Sequence, residues 1–265
     1  MTSTMETPFA DLARGQQRLT GRIAVITGAG AGIGRGCARM FAAQGAIVHA
    51  LDIDADALDA LAAECGGAVI AHPCNVLNEQ AVNAIIEAIG NRHGRIDALI
   101  PAAAISIFRW VEEMTYAEWQ RTLQGELDIV FLATRACWPW LKQSDSASVI
   151  NFASANAHGA LNGSPALAHC AGKGGLLAMT RQLAMEGVRH GIRANSISPG
   201  LILSQQTQRH MAFDPQFEFE ALKAMMIKRI GLPEDIAWCA TWLASTEASY
   251  VTGADIRIDG GATAW

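Results

Sequence analysis

Arg22-Ile23-Ala24-Val25-Ile26-Thr27, followed by Gly28-Ala29-Gly30-Ala31-Gly32-Ile33-Gly34, decides the fold of this chain. The first stretch is an apolar run of strand length. The second sets glycines at alternate positions just before a helical pattern that runs from about Ile33 to Gln44. Glycine there permits a tight turn, lets the backbone approach a pyrophosphate closely, and lets the helix pack near the strand. The helix N-terminus adds free amides and the positive end of a dipole.

The same alternation continues outward from this stretch. Apolar runs stand at about 46–52, 69–74, 98–102, 148–153, 193–197 and 255–258. Helical patterns separate them at about 55–65, 79–93, 116–142 and 166–189. Near-continuous apolar strands alternating with amphipathic helices predict an α/β domain whose parallel sheet is covered on both faces. No linker divides residues 21–265, which read as one domain. Residues 1–20 contain Glu6, Asp11, Arg14 and Arg18 and no apolar run, so they read as a mobile extension rather than a signal peptide. Leu201–Met226 breaks the alternation. Its Met211, Phe213, Phe217, Phe219, Met225 and Met226 exceed what a solvated loop needs, which favours a lid over an ordinary surface helix pair.

The 265 residues are 51% apolar with a formal net charge of -5, so a nucleic-acid partner, which would favour a basic patch, is not expected. No run of eighteen apolar residues suggests a membrane span. The six cysteines form no Cys-x-x-Cys pair and read as buried thiols of a cytoplasmic protein. No metal is expected, because the spacing of His158, His169 and Cys170 fits no common zinc pattern.

Asp52 ends the second strand-like run, where a carboxylate accepts hydrogen bonds from an adenosine ribose and repels a 2′-phosphate. With the glycine turn it predicts binding of NAD rather than NADP. A helix cap shared with Asp54 is the competing reading of Asp52.

From Leu19 to Ala262 the chain resembles the short-chain dehydrogenase/reductase family. The family's Thr-Gly-x-x-x-Gly-x-Gly turn is Thr27 to Gly34, and its acidic residue is Asp52. Its adenine-side Asp-Val is Asn75-Val76 here. Ile192 to Gly200 (IRANSISPG) matches its sixth strand and Pro-Gly turn, and Ser204 stands where a Thr is common. Val251-Thr252-Gly253 and Asp259-Gly260-Gly261 complete the set. The resemblance implies a seven-stranded Rossmann sheet, interconversion of a secondary alcohol and a ketone on a small molecule, and a homo-oligomer, tetramer or dimer. It also implies cofactor contacts from Gly28, Ala31, Gly32, Ile33, Gly34, Asp52, Ile53, Asn75, Val76, Ala102, Ala104, Lys173, Pro199, Gly200, Ile202 and Ser204.

At the chemical centre the chain departs from the family pattern. Asn-Asn-Ala-Gly is replaced by Pro101-Ala102-Ala103-Ala104, and the Asn of the long helix by Glu126. Ser154 is kept. Tyr-x-x-x-Lys becomes His169-Cys170-Ala171-Gly172-Lys173, and the two tyrosines, Tyr116 and Tyr250, match no catalytic position. Residues four apart on a helix share a face, so His169 and Lys173 should point together. Imidazole titrates near neutral pH, which suits it to proton transfer. Lys173 and an oxidised nicotinamide would disfavour imidazolium, and Glu126 is the carboxylate that would offset them. The expected set is therefore Ser154 on the substrate oxygen, His169 in the proton-transfer position, Lys173 on the ribose, and Glu126 as counter-charge. Two other readings stay open: an NAD-binding protein that has lost its chemistry, and a non-redox acid/base enzyme. Ile107, Phe108 and Trp110 follow the fourth strand and suggest a partly apolar substrate, with core packing the competing reading. His158 stands near the same cleft, where a loop histidine without a role competes with a substrate contact.

Overall fold

The computed structural model describes residues 17–160, 163–204, 207–208, 211–212 and 217–265. Seven parallel strands form a single sheet: β1 (Ile23–Thr27), β2 (Ile47–Asp52), β3 (Val69–Pro73), β4 (Ala98–Pro101), β5 (Ala147–Phe152), β6 (Ile192–Pro199) and β7 (Asp255–Ile258). Their order across the sheet is β3-β2-β1-β4-β5-β6-β7. The chain reverses direction of winding between β1 and β4, and in such sheets ligands bind at the carboxyl ends beside that switch point. The register brings the ends together. Thr27 pairs with Leu51 on one side and Pro101 on the other, so the glycine turn, Asp52 and Ala102–Ala104 leave the sheet along one edge.

Helices cover both faces: α1 (Gly32–Ala43), α2 (Ala55–Glu64), α3 (Glu79–His93), α4 (Tyr116–Leu123), α5 (Ile129–Leu141), α6 (Leu167–Gly187), α7 (Phe217–Ala224) and α8 (Pro233–Ala244). Short polar residues start several of them. Asp54 caps α2 through Ala57 N, and Asn78 caps α3 through Ala81 N. Thr115 and Glu118 make a reciprocal capping box at α4. Asp54 supplies the side-chain cap of α2, while the Asp52 carboxylate accepts from Asp54 N and from Gly30 N, so the two aspartates order this turn together. All of β1 is buried, which accounts for its unbroken apolar run. One core face joins β1, α1 and α8, and the other joins β4, α3 and α5. Each large aliphatic side chain so enclosed contributes roughly 2–3 kcal/mol.

Two features differ from the sequence expectation, and the expected lid is described only in part. Residues 1–16 of the expected extension lie outside the described residues, but its last part is packed. Leu19 is 1% exposed within the core and its amide bonds Gln44 O at 3.0 Å, because an apolar side chain beside β1 gains more by burial than by exposure. The long helix of 116–142 is not uniform: Gln124–Asp128 is a π turn between α4 and α5, with Ile129 N bonding Gln124 O five residues back. Of the expected lid, Phe213 and the Phe217 side chain lie outside what is described. Met225 is buried and Met226 N bonds Gly260 O at 2.8 Å, so the end of this segment is fastened beside the end of β7. Among the described residues, no helix is long and apolar enough to cross a membrane.

Candidate active site

The glycine turn is a cradle that side chains would fill. Gly28 has φ +66, and a Cβ there would stand 2.6 Å from Ala103 Cα. A Cβ on Gly34 would overlap Gly28 O. The backbone therefore passes closely between β1 and the Ala102–Ala104 segment, held by Ala103 N on Thr27 Oγ1 at 3.2 Å. Ala31 precedes α1 in extended conformation and gives it no side-chain cap. The first amides of α1 are thus left for an anion. Gly32 lies against Ser204, whose Cβ would be 3.6 Å from a Gly32 Cβ, so the chain beyond β6 returns to the same turn.

Asp52 stands beside this cradle. Its Oδ2 accepts from Gly30 N at 2.8 Å and its Oδ1 from Asp54 N at 3.0 Å. Ile53 is exposed next to it. Asn75 is exposed at the end of β3, where its Oδ1 accepts from Leu77 N. Val76 packs against Ile129, Val130 and Leu176. Pro199 ends β6, and Gly200 N bonds Ile258 O at 3.0 Å, which leaves no room for a Cβ against Asp259. Ile202 is buried and bridges to Gly231. These groups lie along the carboxyl edge of the sheet and fit an extended dinucleotide: a small-residue cradle, uncapped amides and a carboxylate at the end of β2.

The chemical centre is built from three segments. The π turn lifts Gly125 O out of the helical ladder, where it accepts from Ile105 N at 3.0 Å. That bond docks the loop after β4 onto the turn carrying Glu126. The loop then runs to the start of α6, where Arg109 N bonds Pro165 O at 2.9 Å and Phe108 lays its ring 5.3 Å from the His169 ring. Glu126 is 1% exposed. Its Oε1 lies 2.5 Å from His169 Nδ1 and accepts from Ser106 Oγ at 2.5 Å. Oε2 is buried with no hydrogen-bond partner and occupies the place a Cβ would take on Gly172.

Glu126 and His169 are therefore in direct contact, while Lys173 is linked to them through space. Lys173 Nζ donates to Phe152 O at 2.9 Å. Burial pushes this amine below its ordinary range, and the Glu126 charge works against that shift. Ser154 follows β5 and its Oγ accepts from Asn156 N at 3.2 Å. His158 is engaged elsewhere, with Nε2 at 2.8 Å from Asp255 Oδ2 and 3.1 Å from Ser198 Oγ. An open pocket of about 490 Å³ lies between the Asn156–Ala160 loop and the start of α6, with Ser164, Leu167 and Cys170 on its wall. Trp110, on the loop after β4, is half exposed.

The arrangement can act as a base and its orienter. A buried carboxylate that accepts from Nδ1–H fixes the imidazole tautomer, stabilises its protonated form, and leaves Nε2 for proton transfer. Sequence reading did not find Ser106 or Gly172. Their signals are weak: Ser106 is one small polar residue in a run of small ones, and Gly172 is a glycine inside a helix, where glycine costs stability and so needs a packing reason. Among the described residues, no group of three His, Cys, Asp or Glu could hold a metal ion.

A sequence profile described as enoyl-(acyl carrier protein) reductase matches residues 28–263. D-threitol dehydrogenase of Mycolicibacterium smegmatis is 35% identical over 249 residues, covering 93% of this chain and 94% of that protein. The chain belongs to the short-chain dehydrogenase/reductase family. Meso-2,3-butanediol dehydrogenase of Serratia marcescens is 32% identical, covering 93% of this chain and 96% of that protein. The ligand-free structure of aldohexose dehydrogenase from Thermoplasma acidophilum superposes with a TM-score of 0.83 at 26% identity, covering 95% of this chain and 97% of that one. The protein is thus an oxidoreductase of alcohols and ketones, and its family uses nicotinamide dinucleotides.

Proposed function

We propose that this dehydrogenase/reductase is NAD(H)-dependent and interconverts a secondary alcohol and a ketone on a small, partly apolar substrate. His169 is its proton-transfer residue. The observation that carries this reading is the 2.5 Å contact between His169 Nδ1 and the buried Glu126 Oε1. Relatives named for threitol and 2,3-butanediol support a small alcohol, and Phe108 and Trp110 support an apolar portion. The Asp52 carboxylate supports NAD over NADP, since a 2′-phosphate would meet a like charge.

Gly28, Ala31, Gly32, Ile33 and Gly34 would hold the diphosphate, and Asp52 and Ile53 the adenosine ribose. Asn75 and Val76 would border the adenine. Ala102, Ala104, Lys173, Pro199, Gly200, Ile202 and Ser204 would hold the nicotinamide half. A nicotinamide held there would supply the hydride acceptor for alcohol oxidation and the hydride donor for ketone reduction. Ser154 holds the substrate oxygen by its hydroxyl. His169 Nε2 takes the hydroxyl proton as the C–H bond breaks, and gives it back in reduction. Glu126 balances the imidazolium that forms, which Lys173 alone would oppose.

Turnover of an alcohol panel, followed by NADH absorbance, tests this reading. His169→Ala should lose activity by at least about a hundredfold, the usual contribution of a positioned acid/base. Full activity in His169→Ala would refute it. Firm NAD binding with no turnover of any alcohol or ketone in the wild type would favour a binding protein instead. The lost Tyr and the Pro101-Ala102-Ala103-Ala104 segment favour that second reading.

A further inference from the structure

We propose that Ser106 is a positioning residue that sets the proton affinity of His169 through Glu126. This rests on the reading of His169 as the proton-transfer group, and it concerns the group behind the imidazole rather than the imidazole itself. Glu126 Oε1 receives two donors, Ser106 Oγ and His169 Nδ1, each at 2.5 Å, while Oε2 receives none. Ser106 Oγ lies 3.5 Å from His169 Nδ1, a full ångström farther than from the carboxylate oxygen, so the carboxylate is its stronger partner. The serine hydroxyl has one proton, and the acceptor beside it is a buried carboxylate. The hydroxyl therefore donates to Oε1, and Nδ1 can meet the same oxygen only as a donor. His169 is held as the Nδ1–H tautomer, with Nε2 the nitrogen that takes and gives protons.

The sign of the Ser106 effect follows from this geometry. A hydroxyl that donates to Glu126 draws charge from the oxygen facing His169, so it weakens the stabilisation of imidazolium. Removing it leaves the carboxylate with one donor fewer, and Glu126 then holds the imidazolium more strongly. Among the described residues, the charged groups placed around His169 are these. Glu126 comes from the π turn and Lys173 from its own helix. Arg109, on the loop after β4, is turned toward Glu118 at 3.5 Å. Phe108 covers one ring face and carries no charge.

The test reads His169 directly by nitrogen-15 chemical shifts in the cofactor-free protein, assigned with His169→Ala, alongside the pH profile of alcohol oxidation. Ser106→Ala should raise the pH at which His169 gains its proton by about half to one unit. The acidic limb of the turnover profile should rise by the same amount, and Ser106→Thr should restore both. In a Glu126→Gln background, Ser106→Ala should produce no further shift. If Ser106→Ala fails to fold, Ser106→Cys, a weaker donor of similar size, should give a smaller upward shift. A His169 titration unchanged in Ser106→Ala or Ser106→Cys overturns the proposal. So does a Ser106 effect that persists in Glu126→Gln, which would place the serine on His169 itself. A shifted titration in a protein whose turnover survives His169→Ala keeps the Ser106 proposal and refutes the catalytic role of His169 instead.

Discussion

Gly172→Ala is the sharpest test of how the Glu126 carboxylate is held. In an exposed helix interior this substitution would stabilise by about 1 kcal/mol. Here the new methyl would overlap Glu126 Oε2 and stand 3.1 Å from its Cβ and 3.2 Å from its Cδ. Ordinary carbon–oxygen contact requires the carboxylate to retreat by roughly 1 Å. Such overpacking costs about 1–3 kcal/mol. The retreat also stretches the bonds from Ser106 and His169 to Oε1, each worth about 1.5–3 kcal/mol when the acceptor is charged. Part of that loss is recovered by the helix propensity of Ala, which leaves a net destabilisation of about 2–4 kcal/mol and a Tm lower by about 5–10 °C. Turnover should fall at least about tenfold, since 1.4 kcal/mol of misplaced catalytic interaction suffices. Calorimetry and steady-state kinetics on Gly172→Ala and on Gly172→Ala with Glu126→Ala measure both quantities. The double variant should regain stability without regaining turnover. A Gly172→Ala protein with raised Tm and wild-type turnover would refute the idea that Oε2 is wedged in the place of the missing Cβ.

Acid should destabilise the fold through three histidines on the far side of β2. His49 Nδ1 lies 2.9 Å from His72 Nε2, and His49 Nε2 lies 2.9 Å from His93 Nε2. Burial, helped by repulsion from His72, His93 and Arg92, pushes His49 down to about 3. The unfolded chain therefore binds the proton first, so this stability is full above about pH 6.5 and is lost as pH falls below it. Urea midpoints from pH 7.5 to 4.5 should drop less steeply for His49→Leu than for wild type, and superimposable curves would sink this account. Asp52→Ser should improve NADP(H) binding relative to NAD(H) by tenfold or more, measured by nucleotide fluorescence titration; an unchanged ratio would remove Asp52 from cofactor choice. Gly90→Ala places a methyl within the Trp140 ring and should cost about 2 kcal/mol or more, yet leave turnover per folded molecule unchanged. A selective loss of turnover would show that α3 and α5 communicate with the site.

The fold was legible because its signals are local. Ile23–Thr27 and the four glycines that follow carry strand, turn and helix in one short stretch, and the alternation repeats it. The pairing of Glu126 with His169 was approachable only as two departures from one family pattern, since 43 residues separate them in the chain. Ser106 was not legible, because its role comes from a loop docked on Gly125 O rather than from any periodicity. The π turn was hidden for a related reason: its residues have ordinary helical character, and only the added i to i+5 bond distinguishes it. The chain of His49, His72 and His93 was hidden because each sits in an unremarkable place in a strand or helix, and only the sheet register brings them together. Leu19 was assigned to the extension on the polarity of its neighbours, although its own side chain belongs to the core.

The π turn also divides one long rod into two rotational phases. Each α-helical residue advances about 100°, so one surplus residue turns everything before it relative to everything after it. The segment ahead of the turn is thereby free to face α6, while the segment behind it faces α3 and β4. A single-residue deletion within Gln124–Asp128 would leave composition and hydropathy nearly intact. It would swing Glu126 away from His169 or pull Ile129 and Val130 out of the core, since a plain helix cannot satisfy both faces. The surplus residue is therefore the mechanical coupling between the scaffold and the carboxylate.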